Sequence, residues 1–244
     1  MQNTCDDDSR GPIFSLTGTQ LKLIAMLAMF IDHAAVVFIE PQLLAPVTWL
    51  DFLTVSSESL ALVYLIMRSI GRIAFPIFCF LLIEGFVHTR SVKAYAGRLG
   101  VLALLSEPPF DLALFRQSLD WSHQNVFFTL LAALLALVSL KQDRYRWLKV
   151  IGPLFLMILA ELGGVDYGYF GVALVVLLYL SRQEAFYQAV VGALASLWEG
   201  PGVLVAYFLI YHYNGEKGRG NSRWFYFLYP AHLLIYAGIR YLLL

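Results

Sequence analysis

What the chain has least of is charge. Only 14% of its 244 residues are Asp, Glu, Lys or Arg, against 59% hydrophobic, where a soluble domain carries roughly 25% charged residues. Its 17 basic and 17 acidic residues cancel, so there is no net field to hold a nucleic acid, and no basic tract with interleaved aromatics offers one locally. Cysteine is almost missing. Cys5 sits in a polar N-terminus and Cys79 in an apolar run, neither in a CxxC or other ligand spacing, which argues against a disulfide framework and against a bound metal. The N-terminus carries Asp6, Asp7 and Asp8 and no basic region ahead of a small-residue cleavage site, so an uncleaved first span is expected rather than a signal peptide. Gly-x-Ser-x-Gly, P-loop, dinucleotide-binding and EF-hand patterns are missing as well.

Present instead are apolar blocks separated by short charged turns along the whole length, the pattern of a helical membrane protein rather than a soluble domain with one anchor. The fold expected is all-α, a polytopic transmembrane helical bundle forming one domain over 21–244 behind a polar tail at 1–20. Nine spans are expected, near 21–39, 68–88, 93–112, 124–140, 147–161, 166–181, 185–198, 201–213 and 223–243. The seventh and eighth hold only about fourteen residues each, short of the roughly 20 that cross a bilayer, and form either short spans or a re-entrant hairpin.

Lys and Arg collect in alternate turns: Arg10 and Lys22; Arg90, Lys93 and Arg98; Lys141, Arg144, Arg146 and Lys149; Arg182; Lys217, Arg219 and Arg223. The intervening turns hold Glu40, Asp51, Glu58, Asp120, Glu161, Asp166 and Glu199, with Arg116 their basic residue. Cytoplasmic loops carry the basic excess, which places the N-terminus inside a cell membrane and the C-terminus outside. The segment from Gln42 to Leu65, with Trp49 and Ser56 to Ser59, is expected to lie along the outer interface.

Ionisable groups at membrane depth cost several kcal/mol or more, so those that remain call for a reason. MLAMFIDHAAVVFIE places Asp32 and His33 beyond the middle of the first span. Arg72 opens the second, Glu107 and Asp111 close the third, and Gln124 and Asn125 open the fourth, so these groups converge on the outer half. A pairing of Asp32 and His33 with Arg72 that only locks helices together is one reading. A site is the other, because one Arg does not need two further acids, an imidazole and two amides around it. Pro76 is expected to kink the second span, whose Glu84 and His88 share a face near its cytoplasmic end. SEPPFD is expected to break the third helix at Pro108 and Pro109 and to leave free carbonyls in a protein-lined cavity. Tyr167, in DYGYFG, and His232, one turn after Tyr229 in YPAHLL, fit either packing or a site, and His123 and His212 look interfacial.

LKLIAMLAMFIDH, GRIAFPIFCFLLIEGF, SEPPFD, QNVFFTL, DYGYFGV and YPAHLL, in this order from Leu21 to the C-terminus, resemble the TraX family. That family takes its name from the conjugation protein that acetylates the N-terminus of F-type pilin. It also resembles the multi-span acyltransferases that include heparan-α-glucosaminide N-acetyltransferase, which move acetyl from cytosolic acetyl-CoA to an acceptor across the membrane. The resemblance implies a membrane N-acetyltransferase with acetyl-CoA as donor, a pilin or other exported peptide as acceptor, the lipid bilayer as surroundings and no metal. Acetyl transfer to an α-amine, whose pKa is about 7.7–8.0, needs only a weak base. On this reading His33 is that base, oriented by Asp32, and Arg72 or the amides of Gln124 and Asn125 stabilise the oxyanion. Glu107 belongs with the catalytic set. Glu84, Asp111, Gln124, Tyr167 and His232 are assigned to acceptor binding, and Arg90, Lys93 and Arg98 to the CoA phosphates. Two other readings stay open at this point: a transporter or channel whose polar cluster is a proton or solute path, and a scaffold of a secretion or conjugation complex.

Overall fold

The computed structural model describes residues 15–44, 56–117, 119–219 and 224–243. Cys5, Asp6 to Asp8, Arg10, Arg223 and the interfacial segment with Trp49 and Asp51 lie outside the described residues. Every element among those described is a helix apart from two isolated bridges, Leu16 with Tyr213 and Gln124 with Val165.

α1 (Gly18–Ala34) starts where Thr17 and Gln20 cap each other, the Thr17 hydroxyl accepting from the Gln20 N–H and the Gln20 side chain from the Thr17 N–H at 2.8 Å. Leu21, Ala25 and Ala28 are buried on one face of it. Directly after His33 and Ala34 the helix widens into a π turn, Ala35–Ile39, and ends as α2 (Glu40–Leu44), one apolar helix of 27 residues. Beside it runs a second, Ser57–His88, of 32 residues, built from α3 (Ser57–Gly71) and α4 (Ala74–His88). The join at Arg72–Ile73 lies one turn before Pro76, where proline lacks the N–H that would bond the Arg72 carbonyl. This helix begins at Ser56, whose hydroxyl accepts from the Ser59 N–H at 3.2 Å. Residues 57–65 are therefore helical rather than interfacial loop, because a serine cap and nine apolar-rich residues extend the second span backwards.

α5 (Val92–Leu114) runs unbroken through Pro108 and Pro109, against the break expected there. Two prolines remove two ladder bonds, yet the rest of the ladder holds, and the helix end is fixed when Arg240 donates to the Ala113 carbonyl at 2.8 Å. Five shorter helices follow: α6 (Val126–Leu140), α7 (Leu148–Leu162), α8 (Gly168–Leu180), α9 (Ala185–Ser196) and α10 (Gly202–Tyr211), before α11 (Trp224–Leu243). The two helices of α1–α2 and α3–α4 are the ones with both the length and the apolarity for a membrane crossing; α6, α8 and α10 are apolar but shorter.

The helices alternate in direction, and charge follows their ends. Thr19 N–H donates to the Lys217 carbonyl at 2.9 Å, Lys141 lies over Phe86 at 4.4 Å and Arg182 over Tyr179 at 4.0 Å, so Lys22, Arg98, Lys141, Arg182 and Lys217 gather at one end. Glu40, Glu107, Asp111, Asp166 and Glu199 sit toward the other. A helix of 15 residues is about 22 Å long, whereas α1–α2 and α3–α4 are about 40 Å or more. The short helices thus stop partway along the tall ones. The α9–α10 hairpin turns at Glu199, which pairs with Arg72 at 2.8 Å, halfway along the 32-residue helix. Inside, Leu21, Ile77, Ile83, Phe86, Leu134, Leu137, Leu174 and Leu178 belong to one buried apolar core. Outside, large apolar side chains stay exposed on many helices, among them Leu27, Leu65, Leu104, Phe155, Phe208 and Ile235, a surface that water does not favour.

Candidate functional site

The polar cluster forms where the short helices end against the tall ones. Asp32 and His33 are neighbours on α1 and so project in different directions. Asp32 Oδ2 meets Arg68 of α3 at 2.5 Å, and its Oδ1 is buried without a partner. Gly71 permits this approach, since a methyl group there would overlap the Asp32 side chain. Arg72 pairs with Glu199 and reaches Tyr167 as well. Tyr167 holds a left-handed backbone, φ 63°, with its ring stacked on Phe75 at 3.5 Å. Such a backbone costs a bulky residue on the order of 1–2 kcal/mol, and stacking and the Arg72 contact hold it. Asp166, next in the chain, is exposed and lies within electrostatic reach of Asp32, Arg68 and Arg72.

His33 turns toward α11. Its Nδ1 lies 2.7 Å from His232 Nε2, the two rings nearly parallel at 5.0 Å. His232 Nδ1 in turn lies 2.9 Å from the Leu228 carbonyl. A carbonyl only accepts, so His232 carries its proton on Nδ1 and presents a lone pair on Nε2. His33 must then donate through Nδ1, which leaves His33 Nε2 as an unprotonated acceptor. Two hydrogen bonds therefore fix the tautomer of a half-buried imidazole with its basic nitrogen free.

Tyr229 separates this pair from a cavity of about 460 Å³ that opens at the basic end, within the usual range for small-molecule sites. The Tyr229 ring meets His33 edge-on at 5.9 Å and His232 at 5.5 Å. Lys22, Arg98 and Lys217 stand toward the cavity mouth, Glu84 and Tyr95 along it, and Met29, Phe78 and Phe127 deeper. From Lys22 to His33 is about 16 Å along the axis of α1.

A protein-family model described as TraX protein matches residues 17–240. The chain belongs to the TraX family. Among curated proteins it is similar to the probable fimbrial assembly protein FimC, serogroup H1, of Dichelobacter nodosus, 28% identical over 247 residues that cover 88% of this chain and 92% of that one. No solved structure matches it.

In this TraX-family chain the structure brings together Asp32, His33, Arg72, Tyr167 and His232, and it changes several partnerships expected from sequence. Asp32 is paired with Arg68, not with Arg72 or His33, and His232 takes the orienting position beside His33. Arg68 and Arg72 are four apart on one face, a spacing that fits either to Asp32; the join at Arg72–Ile73 gives Arg72 to Glu199. Asn125 caps α6, its Oδ1 accepting from the Phe127 N–H at 3.0 Å, while its amide donates to the Ala103 carbonyl at 2.8 Å and to Glu107. Both amide hydrogens are used, so Asn125 has none for an oxyanion, and Glu107 is its partner in that cap. Gln124 contributes backbone to the Val165 bridge, its N–H donating to the Gly164 carbonyl at 2.9 Å. Asp111 is buried and accepts from the Asp120 N–H at 2.8 Å, which fixes the loop after α5. In that loop, hydrogen bonds from the Ser122 hydroxyl and N–H hold the Asp120 carboxyl below the usual carboxylate range. Glu84 lines the cavity at the opposite end from the cluster. Of the three cations assigned to phosphates, Arg98 lines the cavity and Arg90 and Lys93 do not. Arg68, Glu199, Asp166, Lys22, Lys217 and Tyr229 join the site from outside the expected set.

Proposed function

We propose that this chain is an integral membrane acetyltransferase that moves acetyl from acetyl-CoA to the N-terminal amine of a pilin or another exported peptide. The observation that carries it is the meeting, across Tyr229, of a cavity with a cationic mouth and an imidazole whose basic nitrogen is free. The cationic mouth suits the CoA phosphates, and the apolar bore behind it suits a long thin acyl carrier. On the other side, Asp32, Asp166, Glu199 and Glu40 outnumber Arg68 and Arg72, which suits an ammonium group arriving before it loses its proton. The ammonium gives one proton to water there, and His33 Nε2 takes the second as the neutral amine attacks, while His232 holds the ring and disperses the charge that forms. Asp32 supports the geometry through Arg68.

The bundle is taken to cross the cell membrane with its basic end in the cytoplasm, where acetyl-CoA is found, and its acidic end outward. Short helices flanked by tall ones then leave the cluster recessed in a vestibule open to the exported side. Membership of the TraX family and the fimbrial name of the relative support a pilus-related acceptor.

The donor half of the proposal is tested by binding. Purified protein in detergent should bind CoA, more weakly as salt is raised because the contacts are ionic, and more weakly still in Arg98→Glu and Lys217→Glu. No binding at millimolar CoA would contradict it.

A further inference from the structure

We propose that Tyr229 is the oxyanion donor of this site, an inference that rests on the acetyl-transfer reading. Tyr229 is 4% exposed, and its hydroxyl has no hydrogen-bond partner although it is buried. Leaving a buried hydroxyl unpaired costs on the order of 1–3 kcal/mol, so a native protein that keeps one has a use for it. The same residue lines the cavity, with Phe127 and Val126 beside it. The Val126 N–H lies near its hydroxyl without meeting hydrogen-bond geometry; it is the first of α6 and so one of the donors that a helix start leaves unsatisfied. Asn125 covers the Phe127 N–H and leaves Val126 uncovered. The positive end of α6 thus bears on the hydroxyl oxygen, which makes the O–H a stronger donor.

Two other candidates for this task are already engaged: Arg72 with Glu199, Asn125 with Ala103 and Glu107. Tyr229 also touches both the cavity and the His33–His232 pair. A carbonyl carbon at the inner end of the cavity therefore meets Tyr229 first, with the imidazole base against the other side of the same ring. In the step, the amine nitrogen forms a bond to the thioester carbon, the carbonyl π electrons move to oxygen, and Tyr229 O–H donates to that oxygen. His33 Nε2 receives the amine proton. When the carbonyl re-forms, the C–S bond breaks and the thiolate leaves with the proton from His33, giving free CoA and the amide.

Tyr229→Phe removes the O–H and keeps the ring against Phe127 and both imidazoles. The assay uses acetyl-CoA with a synthetic peptide carrying a free α-amine, and acetyl-CoA with water alone, reading CoA release in both. Loss of one oxyanion donor costs about 10²–10³-fold in kcat, so both rates should fall by that factor while CoA affinity and the KM for peptide stay as in the parent and the melting temperature holds or rises, the unpaired hydroxyl being gone. A variant as fast as the parent overturns the role of Tyr229 and leaves the acetyl-transfer reading standing. A slow variant whose melting temperature has fallen and whose KM has risen along with the loss in kcat also overturns it, since the hydroxyl is then structural. A parent that neither binds nor cleaves acetyl-CoA overturns both.

Discussion

His33 owes its free nitrogen to a carbonyl two hydrogen bonds away. Nothing in the FIDH stretch alone reveals that, because the partner ring is 199 residues further on. Cost in apolar runs singles out an acid, an imidazole and an arginine that the fold brings into one cluster, but cost does not specify pairing. Adjacent residues on a helix diverge, so Asp32 had to find a partner other than His33, and Arg68 and Arg72 offered equal spacing. The corrected partnerships change what substitution should do. His33→Ala and His232→Ala should each lower the transfer rate by the roughly 10²–10⁴-fold that general-base catalysis supplies, and the double variant should be no slower than the worse single one, because the pair acts as a unit. Asp32→Asn should act chiefly on stability, since it strips Arg68 of its partner, at a cost of about 1–3 kcal/mol for a partly buried pair. Rates and melting curves on the same preparations separate the two effects; an Asp32→Asn protein that melts like the parent and has lost all transfer would return Asp32 to the catalytic set.

Helices were legible as apolar blocks, and their ends were not. Hydropathy falls off gradually at Ser57–Leu65, so the serine cap that starts α3 was hidden, and tandem prolines read as a break where tertiary contacts from Asn125 and Arg240 hold α5 together. Close approach between elements was less visible still, because a glycine in a sequence does not say what faces it. Gly71 faces Asp32 and Gly202 faces the Ser69 carbonyl, two contacts that set how α1, α3 and α10 meet around the cluster. A methyl group at Gly71 should force α1 from α3 and destabilise by about 1–3 kcal/mol, with transfer falling as His33 moves. Gly97, on α5 with open space at its Cβ, is the contrast: Gly97→Ala should hold or raise stability, by up to about 1 kcal/mol, and keep activity. Thermal melting in detergent checks both, and a Gly71→Ala protein as stable as the parent would mean that the α1–α3 contact is looser than described.

Across the whole molecule, the alternation of basic and acidic turns anticipated which helix ends gather together, since the bundle collects Lys22, Arg98, Lys141, Arg182 and Lys217 at one end. The proposed orientation, with the basic end in the cytoplasm, rests on charge alone and is open to labelling. In a Cys5→Ser background, where Cys79 is buried, a single cysteine at Gln117 should react with an impermeant thiol reagent in intact cells and one at Gln142 should not. The opposite pattern would turn the vestibule toward the cytoplasm and remove exported peptides as acceptors. The central claim, that a donor cavity and a tautomer-fixed imidazole together transfer acetyl to an amine, has a more direct test. Purified parent and His33→Ala proteins are incubated with acetyl-CoA and a peptide bearing a free α-amine, and the peptide's N-terminal acetylation is followed by mass spectrometry across pH. The parent should acetylate it, and His33→Ala should be slower by about 10²-fold or more at neutral pH, with part of the loss recovered above the amine's own pKa of about 8, where the acceptor is neutral without help. Equal rates in the two proteins at every pH, or no acetylation by the parent, would contradict the account.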